Sequence, residues 1–357
     1  MSEKRAVDEW NGVRIAPGEG RNLELSVSES YSGATVNIPL HVRRGEEPGP
    51  TVFVSAAIHG DEMNGTGAIR TLVQDERLRL RAGAVILVPV LNILGFDRHS
   101  RYLPDRRDLN RSFPGSSTGS LTSRMARVIF KEIVMRSDFG IDLHTAAIRR
   151  TNFPNLRADL DDPGVKRLAD AFGCSVVIPG KGPKGAFRRE ACAAGCPTIV
   201  FEGGEVCKVE PGIVASAVRG IHNVLAHFGM LPEKPKRPRR QIEVQKTKWV
   251  RADRGGFLNF HVAPGDIVHG DMPIATNASL LGHEQNVLKS PFDAIVIGLT
   301  TSPAVSPGEP VCHLGQLPET VDDIEELREQ LSRDRLHDRV IDELASNITV
   351  TEPRDET

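Results

Sequence analysis

No stretch of this 357-residue chain reaches the ~18 consecutive apolar residues that a membrane-spanning helix needs, so no membrane span is expected. The start also lacks an apolar run: MSEKRAVDEWNG carries its charges into polar sequence, unlike a secretory leader. Cysteine is sparse. Cys174, Cys192, Cys196, Cys207 and Cys312 are too scattered for a disulfide scaffold, and Cys192 with Cys196 lacks a second Cys or His pair at zinc-knuckle spacing. Ordinary thiols in a reducing cytoplasm are the expectation. Nor does one sign of charge prevail. Lys plus Arg is 45 and Asp plus Glu is 47, a formal net charge of -2, which gives no general attraction for nucleic acid or an acidic membrane. Tyrosine occurs only at Tyr31 and Tyr102.

What is present suits a globular protein. Hydrophobic residues make up 39% and glycine adds 33 positions, enough apolar material for a sizeable core and against general disorder. The length allows two domains or one large one.

Five organisational segments emerge. Residues 1–47 are turn-rich, with β-favouring runs at Leu23 to Val27 and Val36 to Val42. Over 48–231, short runs rich in Val and Ile alternate with amphipathic patterns. The strands expected are Thr51–Ala57, Ala84–Val90, Phe139–Leu143, Ser175–Ile178 and Thr198–Phe201, apolar enough to be covered on both faces. One helical stripe comprises Leu121, Met125, Val128, Ile129 and Ile133. Asp162–Pro163 reads as an N-cap and first helical position, with an end near Gly173. Pro211 opens another helix, which stops at Gly229. This alternation predicts an α/β domain with a mostly parallel sheet flanked by helices.

Residues 232–241 contain PEKPKRPRR, a basic, proline-rich linker. Residues 242–317 lack a convincing helix and break into short β runs at Gly and Pro turns, a small all-β module. Residues 318–357 are charged. Ile324, Leu327 and Leu331, then Val340, Ile341 and Leu344, suggest one or two amphipathic helices on the surface or at an oligomer contact.

Three strand ends carry the chemistry. The segment VFVSAAIHGDEMNGTGAIR runs from a buried strand into His59-Gly-Asp-Glu62, and a helix follows. Gly60 is read as a bend that turns both side chains toward one cation. FGIDLH ends a second strand on His144. TIVFE ends a third on Glu202, a carboxylate where a buried strand should have none. In open parallel sheets, ligands gather beyond the carboxyl ends of the strands. Two imidazoles plus one carboxylate make the open three-ligand set of a catalytic Zn²⁺, with a fourth position for water. Between these strands lies RYLPDRRDLNRSFPG, whose arginines beside Asn110-Arg111 suit bidentate recognition of a carboxylate.

HGDE, DLNRSFPG, DLHT and the strand-ending Glu of VFEGGE, in this order over roughly residues 48–231, resemble the succinylglutamate desuccinylase/aspartoacylase family, which has a zinc carboxypeptidase-like fold. The resemblance implies one zinc per chain on His59, Glu62 and His144, with Glu202 as the general base. It implies that Asn110 and Arg111 hold a substrate carboxylate, that Arg101 lies near the scissile carbonyl oxygen, and that Arg188 of GAFRREACAAGCP also binds substrate. The β module resembles the barrel-sandwich-like C-terminal domain of bacterial relatives. Its TNASLLGHEQNVL stretch lacks the lysine of a carrier domain, so a structural or lid role is expected. His261, His269, His283 and His313 are read as ordinary histidines there. Some relatives bring a tyrosine from this domain to the substrate, and neither tyrosine of this chain lies in it.

The expected activity is zinc-dependent hydrolysis of the amide bond of a small carboxylate-bearing N-acyl amino acid. Two alternatives stay open: a metallocarboxypeptidase acting on a short peptide, and a non-catalytic binding protein on the same fold.

Overall fold

The computed structural model describes residues 7–30, 32–236, 241–244, 246–318, 324–346, 348, 350 and 351. Tyr31, the basic part of the linker (237–240) and the end of the tail lie outside the described residues. No helix among the described residues is long and apolar enough to cross a membrane.

Strands β1 (Gly20–Glu29) and β2 (Thr35–Arg44) pair as a hairpin. Alternation leaves Leu23, Leu25, Val27, Ile38, Leu40 and Val42 on the covered face, as expected for strands packed on one side. Then follow β3 (Glu47–Ala56), α1 (Asn64–Gln74), β4 (Ala82–Val88), α2 (Leu121–Glu132), β5 (Phe139–His144), β6 (Arg150–Ala158), α3 (Pro163–Phe172), β7 (Val176–Pro179), α4 (Phe187–Ala193), β8 (Thr198–Gly204) and α5 (Pro211–His227).

Strands β4, β3, β5 and β8 lie side by side and parallel. Their alternate residues feed two cores. Val52, Val54, Val85, Leu87, Ile141 and Ile199 pack with α1, α3 and α5. Phe53, Ile86 and Val88 pack on the other face with Met125 and Ile129 of α2 and Phe187 of α4. Local signals set the helix ends. Asp162 Oδ1 accepts from Gly164 N and Val165 N, Pro163 opens α3, and Gly173 closes it at φ 73°. That is the pairing of a side-chain N-cap with a left-handed C-cap.

The sequence pattern passes over β6. It runs antiparallel to β8 along one edge. On its other edge it forks, with Leu156–Ala158 beside β7 and Arg150–Asn152 beside the C-terminal module. That module contributes β9 (Thr247–Arg251), β10 (Gly256–Phe260), β11 (Pro273–Ala278), β12 (Glu284–Lys289), β13 (Ala294–Thr300) and β14 (Pro310–Gln316). Strands β10, β11 and β12 belong to a four-stranded antiparallel sheet. Strands β13, β14 and β9 extend the main sheet from β6, in that order, to thirteen strands among the described residues. Leu258, Phe260, Ile274, Val296 and Val311 fill a third core within the module. The β11–β12 hairpin tip presents Leu280 and Leu281, 87% and 86% exposed.

Helices α6 (Ile324–Ser332) and α7 (Arg335–Ala345) form the tail. Their apolar stripe is not left for another chain. Leu327, Leu331, Val340 and Leu344 are buried in the first core, Asp334 pairs with Arg219 at 2.7 Å, and Glu343 accepts from Gly212 N at 2.7 Å. Polar anchors at both ends and an apolar middle fasten the tail to α5.

Candidate active site

Ala57, buried and at φ 48°, turns the chain out of β3, and residues 57–63 cross the carboxyl end of the sheet. Gly60 lies in this bend, and close approach of neighbouring backbone requires a glycine there. A Cβ at Gly60 would lie 2.1 Å from the Gly95 carbonyl carbon and 2.3 Å from Phe96 N. The same packing brings Gly60 N to Ser100 O at 3.0 Å. It fixes the turn that carries His59 and Glu62 against the loop that carries Arg101.

His59, Glu62 and His144 are buried, and each offers one ligand atom within 4.8 Å of the others. His59 Nδ1 lies 2.6 Å from Glu62 Oε1, and His144 Nδ1 lies 2.8 Å from Glu62 Oε2. Thr145 N donates to Glu62 Oε2 at 3.2 Å. Each ring turns its second nitrogen to another carboxylate: His144 Nε2 is 2.8 Å from Asp142 Oδ2, and His59 Nε2 is 3.3 Å from Asp108 Oδ1. Ser55 Oγ donates to Asp142 Oδ1 at 2.7 Å.

Burial opposes ionisation of Glu62, yet the two imidazoles outweigh it and hold its carboxyl well below the usual range. Burial likewise opposes protonation of His144, but Asp142 and Glu62 raise its pKa well above the ordinary value, and Glu62 and Asp108 raise that of His59. The cluster thus has nitrogen and oxygen donors facing one point, with outer carboxylates orienting the rings. That is how cation-binding histidines are held, so the residues present fit a divalent ion. Its positive charge would take the place of the ring protons.

Glu202 stands opposite His144 in the β8–β5 register. Its Oε2 accepts from Asn152 Nδ2 at 2.9 Å, and its Oε1 lies 2.8 Å from Arg157 Nε. Asn152 needs the space above Gly298 of β13, where a Cβ would come within 2.5 Å of Asn152 Oδ1. Arg101 reaches Glu62 Oε1 at 3.5 Å and Asp108 Oδ2 at 3.1 Å. Asn110 Oδ1 accepts from Phe187 N at 2.8 Å, which leaves its Nδ2 for another partner. Arg111 Nη1 donates to Asn110 O at 2.7 Å. Arg188 is buried, and its Nη1 has no hydrogen-bond acceptor.

All eight residues singled out in the sequence line one cavity of about 520 Å³. The same wall includes Arg150, Asn152 and Arg157 of β6, and Thr247, Trp249 and His313 of the C-terminal module. Sequence reasoning missed these. Asp142 had a legible signal, since it precedes His144 by two on one strand and so shares its face. The others had none, because only the pairing of β6 with β13 brings the module to the cavity. His313, read as an ordinary histidine, stacks on Trp249 with ring centres 4.5 Å apart and planes at 6°.

Comparison with known proteins gives concordant matches. The model of the succinylglutamate desuccinylase/aspartoacylase catalytic domain matches residues 48–228. The N-alpha-acetyl-L-2,4-diaminobutyric acid deacetylase of Halomonas elongata is 31% identical over 265 residues, covering 71% of this chain and 77% of that protein. A solved succinylglutamate desuccinylase/aspartoacylase from Rhodobacter sphaeroides superposes with a TM-score of 0.71 at 26% identity, over 84% of this chain and 96% of that one. The product-bound ectoine utilization protein EutE (DoeB) of Ruegeria pomeroyi shares the fold, with a TM-score of 0.73 at 22% identity over 85% and 97% of the two chains.

Proposed function

Because this chain belongs to the succinylglutamate desuccinylase/aspartoacylase family, we propose that it is a zinc-dependent hydrolase cleaving the amide bond of a small, carboxylate-bearing N-acyl amino acid. The observation that carries this reading is the convergence of His59, Glu62 and His144 on one wall of a cavity that Glu202 also lines. Residues 48–231 are the catalytic unit in this reading, 242–317 closes one side of the cavity, and five free cysteines suit a cytoplasmic setting.

His59, Glu62 and His144 would hold one zinc per chain, which when bound would supply a Lewis acid and lower the pKa of water toward ~7. The protein does the rest. Glu202 accepts a proton from the attacking water on a carboxylate oxygen and returns it to the departing amine nitrogen. Asn152 and Arg157 fix the plane of that carboxylate, so the lone pairs left over face the cavity. Arg101, held by Glu62 and Asp108, offers N–H groups to the amide oxygen as negative charge develops there. The free Nδ2 of Asn110 and the open side of the Arg111 fork take the substrate carboxylate, which orients the amide over the three ligands.

A panel of N-acyl amino acids and dipeptides, assayed with the zinc-loaded protein, tests the reading. Release of a carboxylic acid and a free amino acid from N-acyl substrates is expected. Turnover confined to dipeptides would assign a carboxypeptidase instead. In the same assay Arg111→Ala should raise KM by roughly 10-fold or more, the worth of a charge-assisted pair, with a smaller change in kcat. An unchanged KM would give the carboxylate to another arginine.

A further inference from the structure

Asn152 and Arg157 grip Glu202 from one strand, yet their positions on β6 differ by an odd number. In a regular strand such residues face opposite sides of the sheet. The register accounts for the exception. Glu202 stands opposite Asn155 and Gly204 opposite Asn152, so three steps along β6 are matched by two along β8. Strand β6 therefore carries one extra residue between Asn152 and Asn155, a bulge, which re-aims the side chains beyond it. Arg150 and Asn152 before the bulge and Arg157 after it line the cavity. Phe153 before it, and Leu156 and Ala158 after it, lie in the first core. Without the extra residue, a β6 that turned Asn152 to the cavity would send Arg157 into that core.

Side chains from three parts of the chain hold the bulge. Asn155 is fully buried, and its Nδ2 donates to Phe153 O at 2.8 Å, across the extra residue. Its Oδ1 has no hydrogen-bond partner. An apolar side chain would spare the fold that cost, which leaves the donated bond as the amide's contribution. Pro154 brings no N–H to be left unpaired in the kink, and its carbonyl accepts from Cys174 Sγ at 3.3 Å. The Phe153 ring meets His337 of α7 edge to face, with centres 5.1 Å apart and planes at 74°. Gly265 of the C-terminal module leaves room for this contact. A Cβ there would come within 2.7 Å of the Phe153 ring and 2.8 Å of Ile341 on α7.

Resting on the deacylase reading, in which Glu202 is the base, we propose that Asn155 and His337 are positioning residues for Glu202 that act through the β6 bulge. Neither lines the cavity. Asn155 pins the extra residue from within the strand, and His337 covers Phe153 from the tail. Together they fix the change of face that sets Asn152 Nδ2 2.9 Å from Glu202 Oε2 and Arg157 Nε 2.8 Å from Oε1. The tail, fastened to α5 through Asp334 and Glu343, thereby contributes to the aim of the base.

Kinetics and zinc content of full-length Asn155→Leu, set beside its crystal structure, test the proposal. Its kcat should fall roughly 10–100-fold, as displacement of a catalytic group does, with KM changed by less than about twofold and zinc content as in the wild type. In the crystal structure Arg157 should no longer reach Glu202. Added to Arg157→Ala, the substitution should cost little more kcat, because both remove the same grip, whereas an unrelated structural defect would multiply the loss. His337→Ala should show the same pattern at smaller amplitude, and His337→Phe, which restores a ring against Phe153, should recover kcat. That pair carries the test if Asn155→Leu does not fold. Wild-type kcat in Asn155→Leu, or losses that multiply in the double variant, overturns the proposal, and wild-type kcat in His337→Ala overturns it for the tail. So does an Asn155→Leu crystal structure in which Arg157 still holds Glu202. If Arg157 leaves Glu202 in the variant but the wild-type protein hydrolyses no N-acyl amino acid, the positioning stands and the deacylase reading falls.

Discussion

Glu202→Gln should keep its zinc and lose on the order of 10²–10⁴ in kcat, the usual contribution of a positioned general base. The substitution preserves shape. It removes only the capacity of the carboxylate to take a proton, together with its charge against Arg157, 2.8 Å away. Because Glu202 is not among the three clustered donors, metal content should stay at the wild-type level, which separates this variant from one that fails to load. The amide also places an NH₂ group beside either Asn152 Nδ2 or Arg157, so some loss of stability accompanies the kinetic defect. Asn152→Ala checks that side effect: it frees Glu202 Oε2 of its donor but leaves the base in place, and its kcat should fall far less. Near-normal turnover in Glu202→Gln would remove Glu202 from the role of base.

His144→Ala should have the larger effect, loss of both metal and activity. Loss of a ligand exceeds the ~10–100-fold in metal affinity that losing an outer partner costs. It also leaves Asp142 and Glu62, both essentially inaccessible to solvent, facing a space with no imidazole. Breaking a buried charge pair in this way costs ~3–5 kcal/mol, so the variant should melt earlier. His144→Gln restores a polar group at the position, and Asp142→Asn keeps the ligand while weakening its orientation. The series expected is graded. Asp142→Asn retains activity at raised zinc concentration, His144→Gln folds with little metal, and His144→Ala loses both metal and stability. Stoichiometric zinc and full turnover in His144→Ala would remove His144 from the ligand set.

The strand-end residues were legible because a parallel, doubly covered strand tolerates almost nothing polar. His144 and Glu202 therefore stood out at the ends of FGIDLH and TIVFE, and the family motifs placed the loop residues Arg101, Asn110 and Arg111. Strand β6 was hidden by the feature that makes it functional. Asn152, Pro154, Asn155 and Arg157 read as loop composition. In the fold, Asn152 and Arg157 are accommodated because they turn toward the cavity and hold Glu202. Missing β6 also hid the junction, since its first residues pair with β13 and so connect Trp249 and His313 to the site. No spacing in the sequence encodes that contact, which exists only through register across four strands. The tail sequence shows an apolar stripe, but which surface that stripe meets is a property of the folded chain. The bend at Gly60 was legible, whereas its close approach to Gly95 was not, because that neighbour across the turn is distant in sequence.

The central claim is that one ion on His59, Glu62 and His144 is required for turnover. Measuring zinc content and activity on the same samples through a chelator titration, followed by zinc restoration, tests it most directly. Activity should fall in proportion to metal, extrapolate to one zinc per chain at full rate, and return on restoration. Full turnover in protein stripped of metal would contradict it.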